Sequence, residues 1–372
     1  MADFRLDVEV DFRHPAARFS DICGLVGAAG AHRDGSVVSA VNANFQARSD
    51  CFVEGGVMTG FRIAAALVFA GCTMLSSNSM QANSLLKLQP QMLVSTAWLQ
   101  EHLGDRNLVV VCVGRSRSSY DAGHIPGARF LAMDKIVEQR SDSLNELPPV
   151  AALQAAFESI GVSDDSSVVL YGESGGLLAA RAYFSLDYLG HGDRSALLDG
   201  GLEKWIAEGR PTDRYPVNPP RAHLTTNVQP EILLATSQMR EITSGDGNGY
   251  VLFDSRPPQE YEGEVASEAV PKAGHLPGAH SLYWKTLVQS EAVPALLDVE
   301  QLERVMERAG ADPQKTVITY CRTGIQSSFT YFVAKYLGYR TGMYDGSVYE
   351  WVHQGGYDLV TTHSPTEHPT KR

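Results

Sequence analysis

The chain has 372 residues, long enough for two or three domains, with 44% hydrophobic and 20% charged residues, an ordinary globular composition that can bury sizeable cores. Its formal net charge of -12 excludes a general nucleic-acid partner, because a phosphate backbone needs a basic face. Small anionic substrates stay open to it if positive potential is focused locally.

Residues 1–57 carry no convincing periodicity and read as an artefactual or disordered extension. Residues 58–72, "MTGFRIAAALVFAGC", combine a methionine, one positive charge at Arg62 and an apolar stretch from Ile63 to Ala70 that is too short to span a bilayer. Their ending "FAGC" resembles a bacterial lipoprotein signal, with Phe69 where leucine is usual. That resemblance implies that Met58 is the true start, that Cys72 is lipidated, and that the protein is periplasmic or membrane-anchored; otherwise it is cytoplasmic. The alternative is an ordinary apolar helix.

From residue 92 onward the chain repeats itself. "YDAGHIPGARFL" at 120–131 returns as "PKAGHLPGAHSL" at 271–282, and "SSVVLYGESGG" at 166–176 returns as "KTVITYCRTGI" at 315–325. A third pair is "LLDGGLEKWIAEG" at 197–209 and "MYDGSVYEWVHQGG" at 343–356. The matches keep their order at offsets of roughly 150 residues, so they describe a duplicated domain. The predicted units are residues 92–210, a Pro-rich linker at 211–229, and residues 230–360.

Both copies alternate strand-like runs with helical patterns, which predicts mostly parallel sheets with helices on both faces. In the first copy Leu153, Phe157 and Ile160 mark a helix stopped by Gly161. In the second, Leu302, Val305, Met306 and Ala309 mark one stopped by Gly310, with Asp298 and Gln301 as a capping box. The final "THSPTEHPTKR" reads as a frayed tail.

Of the five cysteines, those after Cys72 are Cys112 and Cys321, and they show no metal-ligand spacing. Cys112 lies inside the strand-like "LVVVCVG" and reads as core. Cys321 is different. It ends the β-forming run "TVITY" and precedes a helix marked by Phe329, Phe332, Val333, Tyr336 and Leu337, which Gly338 terminates. Open α/β sheets bind ligands at such strand ends. Amides of a tight turn entering a helix N-terminus favour an anion, Arg322 adds positive charge, and Gly324 lets the turn close. A thiolate is therefore expected at Cys321. The alternative is a buried, inert cysteine, and the reactive reading requires a thiol that solvent can reach.

The two "GH(I/L)PGA" copies, the aspartate-bearing "VLFDSR" and the loop opening "CRTG" resemble the tandem-domain rhodaneses, the thiosulfate and 3-mercaptopyruvate sulfurtransferases, over residues 92–358. The resemblance implies an α/β fold of two rhodanese-like domains, of which only the second is catalytic, and Gly172 indeed stands where the repeat places Cys321. It further implies that Cys321 takes sulfur from a small anionic donor as a persulfide and passes it to a thiophilic acceptor, cyanide or a thiol, without metal or organic cofactor. Arg322, Thr323, Gly324, Ile325, Gln326 and Ser327 would form the substrate-binding loop, their amides stabilising the anionic sulfur. Arg322 would pair with the donor's oxygens, unless it is a solvated surface arginine. Asp254 and Arg256 would brace the loop from beneath or form a plain structural salt bridge; Cys112 and Gly114 replace them in the first copy. His124, His275, Trp205 and Trp351 recur in both copies and read as folding residues.

Arg322 favours thiosulfate as donor, whereas Thr323 adds no second charge and Glu260 stands where some family members place an arginine. Related phosphatases need an arginine where this chain has Ser327, which excludes that chemistry. A non-enzymatic sulfur carrier or redox module remains the competing reading. The oligomeric state is open.

Overall fold

The computed structural model describes residues 86–245, 248–354 and 357–362. The extension at 1–57, the signal-like segment with Cys72 and the final tail expected to fray lie outside the described residues, apart from Thr362. Among the described residues no helix is long and apolar enough to cross a membrane.

The first copy runs β1 (Leu93–Val94), α1 (Thr96–His102), β2 (Leu108–Gly114), α2 (Arg117–Ala122), β3 (Arg129–Ala132), α3 (Val150–Ser159), β4 (Ser167–Gly172), α4 (Leu177–Tyr188), β5 (Ser195–Leu198) and α5 (Gly201–Ala207). The second runs α6 (Thr236–Ser244), β6 (Tyr250–Asp254), α7 (Pro258–Glu262), β7 (Ala279–Ser281), α8 (Val299–Arg308), β8 (Thr316–Tyr320), α9 (Ile325–Tyr336), β9 (Arg340–Met343) and α10 (Ser347–Gln354). Strand orders are β1-β5-β4-β2-β3 and β7-β6-β8-β9, every pairing parallel. Where the first sheet has β1 beside β5, the second has only a bridge between Leu233 and Met343.

Alternation along each strand explains why both faces are covered. Val109, Val111 and Val113 of β2 enter one core with Leu153, Phe157 and α4, while Val110 and Cys112 enter another with Leu99, Tyr120 and Trp205. In the second sheet Val251, Phe253 and Val317 face α8 and α9, and Leu252, Ile318 and Tyr320 face Met239, Val348 and Trp351. The capping box at Asp298 and Gln301 is formed, and Gly338 follows α9 at φ +95°. Burial pushes the Cys112 thiol up to about 11, as fits a core cysteine.

The first of these cores is shared by both copies. The repeat-equivalent helices α4 and α9 pack against each other through edge-to-face pairs of Tyr183 with Phe332 and Phe184 with Tyr331, ring centroids 4.9 and 5.0 Å apart. Tyr331 Oη donates to Asp187 Oδ2 at 2.6 Å, and Lys335 Nζ lies 2.7 Å from Asp187 Oδ1. A shared apolar core of this kind couples the two halves mechanically.

The recurring histidines are structural in the same way. His124 stacks on Tyr120 and His275 on Tyr261, each at 3.8 Å, and each Nδ1 lies within hydrogen-bond distance of that tyrosine's carbonyl. One residue on, the amides of Ile125 and Leu276 donate to Tyr171 and Tyr320 hydroxyls. Trp205 and Trp351 cap the returning chain at Pro211 and Asp358 carbonyls.

Because Phe332 is fully buried between the copies, Phe332→Ala is expected to cost about 3–5 kcal/mol. Urea unfolding should keep one transition with a lowered midpoint; two separated transitions would mean that the copies unfold independently.

Candidate functional site

Cys321 follows β8 directly, and Gly324 at φ +83° is the N-cap of α9. A Cβ at Gly324 would collide with Asp345 Oδ1, so both the turn and the space demand glycine. The loop is tied to the segment entering α10: Ser347 Oγ accepts from the amides of Cys321 and Gly324, both at 3.1 Å, and donates to the Tyr344 carbonyl at 3.0 Å. The amides of Val348 and Tyr349 in turn donate to the Cys321 and Arg322 carbonyls. Ser347 itself sits at φ +55°, a left-handed conformation costly for a side-chain-bearing residue.

Ser327 Oγ donates to Cys321 Sγ at 3.6 Å. Ile325, Gln326 and Ser327 open α9, so their amides lack intrahelical acceptors and form a positive helix end beside the sulfur. The expected ring of loop amides is thus incomplete in one respect, since the Gly324 amide is spent on Ser347 Oγ. Ile325 packs into the shared core, and Gln326 Oε1 is buried without a hydrogen-bond partner.

Access differs from what a reactive thiol requires. Cys321 is only 1% exposed. Two surface clefts of about 560 and about 610 Å³ open elsewhere, around Arg240 and Trp351 and around Trp98 and Leu108. Short loop links to Ser347, Val348 and Tyr349 hold the sulfur at the floor of its cradle, while Arg322, Thr323 and Gln326 at the rim are half-buried.

Arg322 is half-buried and already paired. It forms a forked pair with Glu260, Nε to Oε2 at 3.2 Å and Nη2 to Oε1. Arg256 and Asp254 form a buried forked pair, and Arg256 Nη2 also donates to the Gly274 carbonyl at 2.7 Å. Burial works to lower the Arg256 pKa, but adjacent Asp254 outweighs it and raises the net value. Arg256 Nη1 lies 3.8 Å from Glu260 Oε2, so the link from this pair to the loop runs through Glu260. The Ser255 amide bonds the Tyr320 carbonyl at 2.9 Å, placing the pair at the adjoining strand end.

The first copy contributes residues that the motif reading missed. Asn145 Nδ2 donates to Thr323 Oγ1 at 3.0 Å, Arg181 makes a forked pair with Asp345, and the Leu147 amide donates to Asp345 Oδ2 at 3.0 Å. Arg181 and Asp345 are 0% and 1% exposed. Glu146, next to Asn145, has a buried Oε1 without a partner; desolvation first, then nearby Asp345, push its carboxyl up from 4.5 to about 8. One signal for Ser347 was legible: the repeat puts it opposite Gly201, which has φ +59°. Among the described residues no group of three or more His, Cys, Asp or Glu could hold a metal.

The model of the rhodanese-like domain matches twice, at residues 95–208 and 239–354. The chain belongs to the rhodanese family. It is 36% identical over 276 residues to the sulfur carrier protein TtuD of Thermus thermophilus, covering 70% of this chain and 94% of that one. A thiosulfate sulfurtransferase of Pseudomonas aeruginosa is 36% identical over 257 residues, covering 68% and 91%. Two solved structures share the fold. The anaerobic ergothioneine biosynthesis enzyme of Chlorobium limicola aligns with TM-score 0.65 at 23% identity, over 74% of this chain and 71% of that one. The 3-mercaptopyruvate sulfotransferase SseA of Escherichia coli aligns with TM-score 0.62 at 23% identity, over 69% and 98%.

Glu146 sets a pH dependence whose sign can be worked out. Its folded pKa lies above the unfolded value, so between 4.5 and about 8 the folded state binds the extra proton and stability falls as pH rises. Glu146→Gln, which keeps the neutral form's shape, should raise the melting temperature at pH 8 and leave it nearly unchanged at pH 4. Equal shifts at both pH values would count against this origin.

Proposed function

We propose that the protein is a sulfurtransferase that moves the sulfane sulfur of thiosulfate to a thiophilic acceptor through a persulfide on Cys321. The observation that carries this reading is the placement of Sγ beside the N-terminus of α9 with a hydroxyl hydrogen bond from Ser327. Both the helix end and the hydroxyl present the positive ends of their dipoles to the sulfur. The donor class rests on relatives named as thiosulfate sulfurtransferases.

Because Cys321 is 1% exposed, the reaction requires the half-buried rim of the loop to open first; the thiolate then attacks the outer sulfur of thiosulfate. A new sulfur–sulfur bond forms at Cys321 as the donor's own sulfur–sulfur bond breaks, its electron pair leaving with sulfite. Cyanide or a thiolate then attacks the outer persulfide sulfur, and Cys321 leaves as thiolate, ready for another cycle. The two half-reactions share one covalent intermediate, which predicts ping-pong kinetics. The helix-end amides and Ser327 Oγ serve the anionic sulfur before and after transfer without a metal.

A second reading is a sulfur carrier that is loaded once and unloaded by a partner. Two observations favour it: the relative named as a sulfur carrier, and the 1% exposure of Cys321, which suits a sulfur kept from indiscriminate acceptors.

Thiosulfate should raise the protein's mass by one sulfur atom, and thiosulfate with cyanide should give many thiocyanates per chain. Cys321→Ser should lower that turnover by about three orders of magnitude or more while circular dichroism stays unchanged. A single stoichiometric burst selects the carrier, and turnover retained by the serine variant removes Cys321 from the chemistry.

A further inference from the structure

We propose that Glu260 is a donor-selecting residue: an internal carboxylate that occupies the anion seat of Arg322 and handicaps dianionic sulfur donors. The proposal rests on the sulfur-transfer reading above.

Arg322 is the only arginine of the Cys321 loop. One edge of its guanidinium is already taken, because a fork presents two parallel N–H groups and the Glu260 carboxylate engages Nε and Nη2 together, while the side chain stays 31% exposed. The carboxylate is itself held in place. Glu260 lies on the short helix α7, its side chain is 8% exposed, and Arg256 Nη1 stands 3.8 Å from Oε2. Arg256 has no spare charge to offer the loop, since it is forked to Asp254. The sequence of charges from the buried strand end to the rim is therefore Asp254, Arg256, Glu260, Arg322, alternating in sign and summing to zero.

A small anion approaching Cys321 can use Arg322 only by displacing Glu260 from it or by lying beside a carboxylate. The repulsion scales with the donor's charge, so a dianion suffers about twice as much as a monoanion. Neutral and zwitterionic persulfides avoid it, and a donor with an amino group gains from it. Glu260 thus shifts the donor range away from thiosulfate and toward sulfur carried on uncharged or zwitterionic thiols.

The test compares thiosulfate with methanethiosulfonate, a monoanion that offers the same kind of transferable sulfur, in the wild type, Glu260→Gln and Glu260→Gln/Arg322→Ala. Persulfide on Cys321 is followed by mass and turnover by thiocyanate. Glu260→Gln should raise kcat/KM about tenfold for thiosulfate and about threefold for methanethiosulfonate, chiefly through KM, and the double variant should lose both gains. Glu260→Ala serves the same comparison if the glutamine variant does not fold. Gains that are equal for the two donors, absent, or kept in the double variant would overturn the proposal while leaving sulfur transfer intact. No persulfide in any of the proteins with either donor would overturn the sulfur-transfer reading itself, and this proposal with it.

Discussion

The buried pair of Arg181 and Asp345 is the constraint on which the arrangement of the site depends. Arg181 comes from α4 of the first copy and Asp345 from the loop before α10 of the second, and both are almost completely out of solvent. Desolvating two charges is expensive, and their attraction offsets it only with good geometry and further hydrogen bonds. Here the geometry is a fork, and Asp345 also accepts the Leu147 amide while Arg181 Nη2 donates to the Asn145 carbonyl. Every one of these contacts crosses between copies or fixes the strap that crosses. Asp345 Oδ1 also occupies the space that a side chain at Gly324 would need, so the pair sets the shape of the turn that holds Cys321. Arg181 Nε is left buried without a partner, a desolvation cost that offsets part of what the pair contributes.

Duplication explains where this constraint came from. The first copy has Asp199 where the second has Asp345, and Asp199 Oδ1 accepts the Leu296 amide of the second copy just as Asp345 accepts Leu147 of the first. Each copy therefore lays a strap over the other's loop. The straps have diverged: Asn145-Glu146-Leu147 faces the Cys321 loop, while Pro294-Ala295-Leu296 faces the first copy's glycine-rich turn. Polar groups were kept on the side with the sulfur. On the other side Gly175 is packed by Trp284 and Pro294, so that turn serves the interface. The first copy is in this sense part of the site, because Asn145 reaches Thr323 from it.

What could be read from the chain follows the range of each interaction. Strands, helices, the duplication and the Cys321 loop were legible because they are local patterns or repeats of local patterns. Cys112 as core and the paired histidines as folding residues follow from the same comparison. Arg181, Asn145 and Glu146 were invisible because their partners lie far along the chain and the second copy has no counterpart with the same chemistry. The charge on Arg322 was legible but its occupation by Glu260 was not, since nothing local says that α7 turns a carboxylate toward the β8 loop. The burial of Cys321 is of the same kind: the motif places a sulfur at a helix end, and only the packed neighbours decide how much of it solvent meets.

Fixed dipoles and full charges are physically separate in this site. The groups nearest Sγ are a hydroxyl and a helix end, fixed dipoles that persist whatever approaches. The full charges stand farther out, in an alternating chain that begins at a buried strand end and finishes at the rim. Dipoles act at contact distance, whereas opposed charges at the rim nearly cancel at a distance and act only on a ligand that touches them. Substitutions in that outer chain can therefore alter the charge at the rim without rebuilding the cradle.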